Sequence, residues 1–223
     1  MAPASTSAED GAVGHQPKSS NQRRRYSKER RSDAQYRALL DALEELLQTE
    51  EPRGITVQAI TRKASLDRTS FYFYFTSKED ALGELVSYYM RKIYEAAEPL
   101  FDENYPISES LRKAIENQVE VWGRHGRALA TISDLAGTNL RLREQWFSEV
   151  EQFVEPMHQR ILALDRKLGR PHPPQSRMRA ELFVWTHERF YYLWASGRYK
   201  WTADEVAQGL YGPLMSMLGL EVE

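Results

Sequence analysis

Arg68, Thr69, Ser70, Tyr72, Phe73 and Tyr74 lie within one short run, interleaved with Phe71 and closed by Phe75. A guanidinium can donate two parallel hydrogen bonds to a guanine edge. Small hydroxyls can reach other base edges, and an aromatic ring can pack on a thymine methyl. Coiled as a helix, the run places Phe71 and Phe75 together on an inner side. Thr69, Ser70, Phe73 and Tyr74 take the outer half, and Arg68 and Tyr72 the flank. A helix of this kind has the side chains to read a DNA major groove. Residue preference alone would make the Phe/Tyr run a buried strand. Helix-start signals on both sides, and no partner strand nearby, favour a short aromatic helix instead.

The neighbouring residues suit the phosphate backbone. Tyr72, Tyr74 and Lys78 are expected to hold phosphates, while Arg68, Thr69, Ser70 and Phe73 face bases. Thr56 and Gln58 open the preceding helix, whose positive dipole end would face the sugar-phosphate strand. For Tyr72 and Tyr74 the alternative is a packing role, and for Lys78 a solvated first-turn position.

Catalytic chemistry has no comparable footing. The chain has no Cys, and His15, His125, His158, His172 and His187 are scattered without metal-ligand spacing. It has no Gly-rich phosphate loop, so neither a cofactor, a metal nor an enzyme activity is expected.

The elements that must position the aromatic run follow from local signals. Ser32 and Gln35 fit a capping box, after which Tyr36, Leu39, Leu40, Leu43 and Leu47 recur at helical spacing. This helix should end near Thr49. Thr56 can cap a short second helix carrying Val57 and Ile60 inward, and Asp67 can cap the third. Ser77 and Asp80 suggest another box opening a long helix, with Leu82, Leu85, Val86, Tyr89, Met90 and Ile93 along one stripe. Pro99 and the Asn104-Tyr105-Pro106 segment should end it. Further helices are predicted at 108–124, 127–136, 139–168, 176–196 and 203–218. Pro156 should interrupt the fourth long stretch, and Thr202 with Glu205 supplies a third box. The chain reads as all-α: a three-helix helix-turn-helix domain over 32–79, followed by a larger helical domain over 80–223.

Residues 1–31 are poor in apolar side chains and are expected to form a disordered basic arm, with Lys18, Arg23, Arg24, Arg25, Lys28, Arg30 and Arg31. Charge is divided accordingly. Residues 1–78 hold 13 Lys/Arg against 10 Asp/Glu, and the remainder 17 against 22, so a polyanion would meet the first third. No apolar run approaches the ~20 residues of a membrane span, and no secretory signal opens the chain. A cytoplasmic protein that does not bind membranes is the expectation.

Four stretches together carry a family resemblance: Thr56-Val57; Ala64-Ser65-Leu66-Asp67; Tyr72-Phe73-Tyr74-Phe75; and Ser77-Lys78-Glu79. Over about 33–85 the sequence resembles the TetR family of bacterial transcriptional regulators. It departs in Ser65, where the family's turn has Gly, and in Tyr74, where the family often has His. Ser65 must therefore avoid positive φ or bear strain. A looser likeness to the EthR-like branch involves Phe71-Tyr72-Phe73-Tyr74-Phe75, Trp122-Gly123-Arg124-His125, the Trp146 to Phe153 helix and Thr186-His187-Glu188-Arg189.

The resemblance implies a ligand pocket within the C-terminal helices and a homodimer through the last two. A packed aromatic core is the alternative to a pocket. By matching position the lining would include Leu111, Gln118, Trp122, Trp146, Val150, Phe153, Met157 and His187, with Gln118 and His187 as polar handles. His187 has an alternative as a satisfied core histidine. Phe183, Tyr191, Leu210, Leu214, Met217 and Leu218 lie at apolar positions of the two helices expected to pair. The expected protein is a repressor that binds a pseudo-palindromic double-stranded operator as a dimer and is released by a small hydrophobic effector. The alternative is a helical dimeric scaffold, or protein-interaction module, that never touches DNA.

Overall fold

The computed structural model describes residues 20–171 and 174–221, with side chains from Ser32 onward. Among the described residues there are nine helices and no strand. They are α1 (Ser20–Thr49), α2 (Val57–Lys63), α3 (Arg68–Tyr74), α4 (Lys78–Phe101) and α5 (Ile107–Ala136). The rest are α6 (Leu140–Glu151), α7 (Val154–Lys167), α8 (Ser176–Ala195) and α9 (Ala203–Met217).

The cap residues set most of these starts. Thr56 accepts from the Ala59 N–H, Asp67 from Ser70, Ser77 from Asp80 and Thr202 from Glu205. Each satisfies an N–H that the helix itself leaves unpaired. Only Thr202 and Glu205 close the reciprocal box among the expected three. At α4, Asp80 instead accepts from the Thr76 N–H and hydroxyl at 2.8 and 2.9 Å, so its reach extends one residue further back.

Several boundaries differ from those predicted. Helix α1 begins at Ser20, so Ser32 lies inside it and the Ser32–Gln35 box does not open a helix. Residues 20–31 are therefore helical rather than part of a disordered arm, and residues 1–19 lie outside the described range. The Arg, Lys, Gln and Glu of this stretch are good helix formers that need no apolar stripe. The stretches 108–124 and 127–136 form one helix, α5. Gly126 does not break it; an added Cβ there would lie 2.6 Å from the Ala195 Cβ, so glycine lets α5 and α8 touch. Helix α4 runs through Pro99 to Phe101. The 139–168 stretch divides at Gln152–Phe153, and Pro156 sits in the first turn of α7, where its missing N–H costs nothing.

Helices α1 to α3 form a head, and α4 leads from it into a body built around α5. Leu39, Leu43, Leu47, Ile60, Phe71 and Phe75 fill the head core, joined by Leu82 and Leu85 from α4. Helix α5 packs against α4, α8, α9, α6 and α1, so it touches both the body and the head.

Candidate nucleic-acid interface and enclosed cavity

The turn between α2 and α3 sets the angle of the aromatic helix. Ser65 adopts φ +55°, the left-handed conformation that favours glycine, and so bears the strain that its sequence position implied. The Leu66 N–H donates to the Thr61 carbonyl at 2.9 Å, which closes the turn. Asp67 then starts α3, and the Ser70 N–H that it accepts at 2.7 Å holds its carboxyl below the usual range.

Helix α3 divides as its spacing predicts. Phe71 and Phe75 are buried against the head, at ring centroids 5.2 Å apart. Arg68, Thr69, Tyr72 and Phe73 are exposed, Phe73 by 76%, and Ser70 is half-buried. Arg68 Nη2 donates to the Tyr72 hydroxyl at 3.4 Å, and its guanidinium sits 5.8 Å from that ring. The pair pre-orients the cation on the outer flank. Thr56 and Gln58 are exposed at the start of α2.

Two residues take other positions than expected. Tyr74 turns from the outer half onto α1, where its hydroxyl donates to the Ser32 carbonyl at 2.9 Å and its ring meets Tyr36 edge-on. Two aromatic neighbours and a carbonyl outcompete solvent for it. The Lys78 ammonium donates to the carbonyls of Pro52 and Ile55 at 3.2 and 3.0 Å. It ties the α1–α2 loop to the start of α4, and that work occupies two of its three protons.

The body holds a cavity of about 50 Å³ between α4, α5, α6, α7 and α8. Gln118, Trp122, Val150, Phe153, Met157 and His187 line it as expected. Leu111 and Trp146 are buried in the surrounding core and do not face it. Helix α4 contributes Met90, Ile93 and Ala97, and α8 adds Phe183, Glu188 and Tyr191, which the sequence reading missed. A signal was present. Glu188 follows Val184 by four residues and precedes Tyr191 by three, which puts a carboxylate on the buried stripe of α8.

The cavity's polar groups are buried and unusually bare. His187 is 7% exposed, its Nε2 has no hydrogen-bond partner, and burial pushes its pKa down to about 4. Glu188 is equally buried; its Oε2 forms a long ion pair with Arg189 at 3.6 Å, and no close hydrogen bond reaches either oxygen. Burial raises its pKa above the carboxylate range, opposed by Arg189 and the Trp146 indole. Trp122 and Tyr191 stack at 5.7 Å and 10°, and Tyr191 and His187 at 5.4 Å and 11°.

Head and body meet at a second polar cluster. Glu44 of α1 pairs with His125 Nδ1 of α5, and the His125 ring packs on Tyr89 of α4 at 5.2 Å. Trp122 lies one turn before His125 on the same helix, so α5 connects the cavity wall to the head.

A head that exposes a polar and aromatic helix, on an all-α body with a largely apolar cavity, has the layout of a helix-turn-helix protein with a larger helical body. Residues 39–85 match the family described as bacterial regulatory proteins, tetR family. A curated relative, the HTH-type transcriptional regulator EthR of Mycolicibacterium smegmatis, is 26% identical over 122 residues. That match covers 52% of this chain, and the chain spans about half (54%) of the relative's length. Among solved structures, the regulator FadR of Bacillus subtilis in complex with stearoyl-CoA aligns with a TM-score of 0.68 at 19% identity, covering 82% of this chain and 98% of that one. A TetR-like transcriptional regulator from Rhodococcus aligns with 0.61 at 18% identity, over 83% and 96%. The head thus matches the tetR family of bacterial regulatory proteins over residues 39–85, and more than four-fifths of the chain shares the fold of these solved structures.

Proposed function

We propose that the protein is a ligand-responsive repressor that binds a pseudo-palindromic DNA operator as a homodimer and releases it when a small apolar effector enters the body. The observation that carries this is the division of α3, with Phe71 and Phe75 anchored in the head while Arg68, Thr69, Tyr72 and Phe73 stand free to enter a groove. Arg68 is assigned to a base edge, with Thr69, Ser70 and Phe73 beside it. Tyr72, Thr56, Gln58 and the capped start of α2 approach phosphates. Tyr74 and Lys78 act chiefly as braces, Lys78 with one proton left for a phosphate. A DNA partner implies a cytoplasmic protein. Among the described residues no helix is long and apolar enough to cross a membrane.

One recognition helix covers little DNA, so a dimer is part of the proposal. Of the side chains expected to pair the last two helices, Phe183, Tyr191, Leu210, Leu214 and Leu218 are buried within the protomer. The exposed apolar side chains on α8 are instead Met178 and Leu182, each 56% exposed, with Trp185 partly covered beside them. On α9, Gly209 has open space where a side chain would stand, which permits close approach of a second copy.

Coupling follows the two helices that touch both parts. The cavity is too small for a drug-sized molecule, which needs some 300–1,000 Å³. An effector must therefore push α4 and α5 apart, with Met90 and Met157 able to repack around it. Movement of α5 disturbs the Glu44–His125 pair, and movement of α4 shifts the Lys78 brace. Both change where α3 sits. A useful switch requires the effector to prefer the non-binding arrangement by roughly 3–5 kcal/mol.

Selection of duplexes from a random library by the purified chain tests the reading. The expected product is an inverted repeat with half-sites about one helical turn apart. Failure to retain any duplex at low salt defeats it, and normal dimerisation in that case would favour the scaffold role.

A further inference from the structure

We infer that the cavity is built for an apolar ligand that carries a protonated amine, with Glu188 as the counterion. The inference rests on the ligand-binding part of the function proposed above, and it adds the chemical class of the ligand.

Glu188 lines the cavity, is 7% exposed, and leaves both carboxylate oxygens without a hydrogen bond. No Lys or Arg lines the cavity. The Arg189 guanidinium forms one long ion pair with Glu188 Oε2 at 3.6 Å, but its side chain is 52% exposed, it is not part of the cavity wall, and it leaves both oxygens without a close N–H donor. A buried carboxylate without donors is costly to keep, and its natural complement is a cation bearing N–H groups. His187 Nε2, also unpartnered, adds a second polar atom to the same wall.

The aromatic surround points the same way. Trp122, Tyr191 and His187 form a continuous stack, and Phe183 meets His187 edge-on at 5.0 Å. Ring faces carry negative potential and attract an ammonium, whereas a carboxylate or phosphate ligand would meet Glu188 with no cation to receive it. The remaining wall, including Met90, Ile93 and Met157, is apolar and suits a hydrocarbon body. The rival role for Glu188 is internal: the Trp146 indole N–H is also buried without a partner, and the carboxylate could close on it.

Three probes of matched shape decide between these roles: phenylbutylamine, phenylbutanol and phenylbutanoate. Each is titrated into the purified full chain by calorimetry, with tryptophan fluorescence alongside. The amine should bind at least about tenfold tighter than the alcohol, and the acid weakest. In Glu188→Gln, an isosteric change that keeps the packing, amine affinity should fall to that of the alcohol. Equal affinities for amine and alcohol, tighter binding of the acid, or an unchanged amine preference in Glu188→Gln would overturn the inference. Because binding is read without DNA, the two proposals fail separately. Amine binding that leaves a DNA complex intact supports the cavity assignment and counts against the regulator. Release of DNA by the acid or alcohol with no amine preference does the reverse.

Discussion

The head and the body invert the ordinary burial rule in opposite directions. On α3 an aromatic side chain, Phe73, is 76% exposed, and Tyr72 is half out of the fold. On α8 two ionisable side chains, His187 and Glu188, are each 7% exposed and lack hydrogen bonds on the atoms that need them. Apolar surface in water and polar atoms in a dry core both cost free energy. On the proposed function, each departure is a surface arranged for something outside the chain. The difference between them is one of access. The head presents its site permanently, on a short rigid helix capped by Asp67. The body instead lines a cavity of about 50 Å³, recessed between helices, with its polar atoms.

Substitutions can break or sharpen that contrast, and the largest effect belongs to the head's anchor. Phe71 is fully buried, so Phe71→Ala should cost roughly 3–5 kcal/mol in denaturant melts and release α3 from the head. A loss under about 1 kcal/mol would mean that the aromatic helix is held by something other than its inner face.

In the body the sign reverses. Glu188→Gln should stabilise the protein at neutral pH by roughly 1–3 kcal/mol, since it removes a buried charge that has no close hydrogen bond and only a long ion pair with the exposed Arg189. Burial raises the Glu188 pKa, so the folded chain binds that proton more tightly than the unfolded chain. The stability linked to it is complete at low pH and is lost as pH climbs above the usual carboxylate range. His187 acts oppositely: its pKa is held near 4 against a usual 6.5, so stability rises with pH across that interval. Urea melts at acid and neutral pH should show Glu188→Gln lacking the alkaline-side decline. Equal pH profiles would show that the carboxylate is already satisfied.

Smaller effects test the braces. Lys78→Met should cost about 1–3 kcal/mol, because it leaves the Pro52 and Ile55 carbonyls without their charged donor. Ser65→Gly should raise the unfolding free energy slightly, by about 1 kcal/mol in denaturant melts, as it relieves a left-handed backbone at φ +55°. A destabilised Ser65→Gly would show that the turn does not hold that conformation in solution.

How legible these regions were depended on range. Thr56, Asp67, Ser77 and Thr202 each cap the helix their neighbours announced, because capping is decided within a few residues. The inner and outer sides of α3 were readable for the same reason, from spacing alone. Tyr74 was not, since its direction depends on Ser32 and Tyr36 of α1. The stretches 108–124 and 127–136 read as separate helices because the contact of Gly126 with Ala195, which holds the continuous α5 against α8, is not visible locally. The α1 start was missed because its polar helix formers leave no apolar pattern. Six of the eight expected lining residues face the cavity, whereas Leu111 and Trp146 pack behind it. Which side of a buried helix meets a void is settled by neighbouring helices, and Glu188 needed only that extra step.

The central claim is that the outer side of α3 reads DNA while its inner side holds the fold. Fluorescence anisotropy on a duplex selected by the wild-type chain compares that chain with Arg68→Ala/Tyr72→Ala under one salt condition. The account predicts a loss of operator affinity of about a hundredfold or more, each lost base contact costing roughly 1–3 kcal/mol per half-site, with unchanged melting and dimerisation. Equal affinity in the two proteins would contradict it.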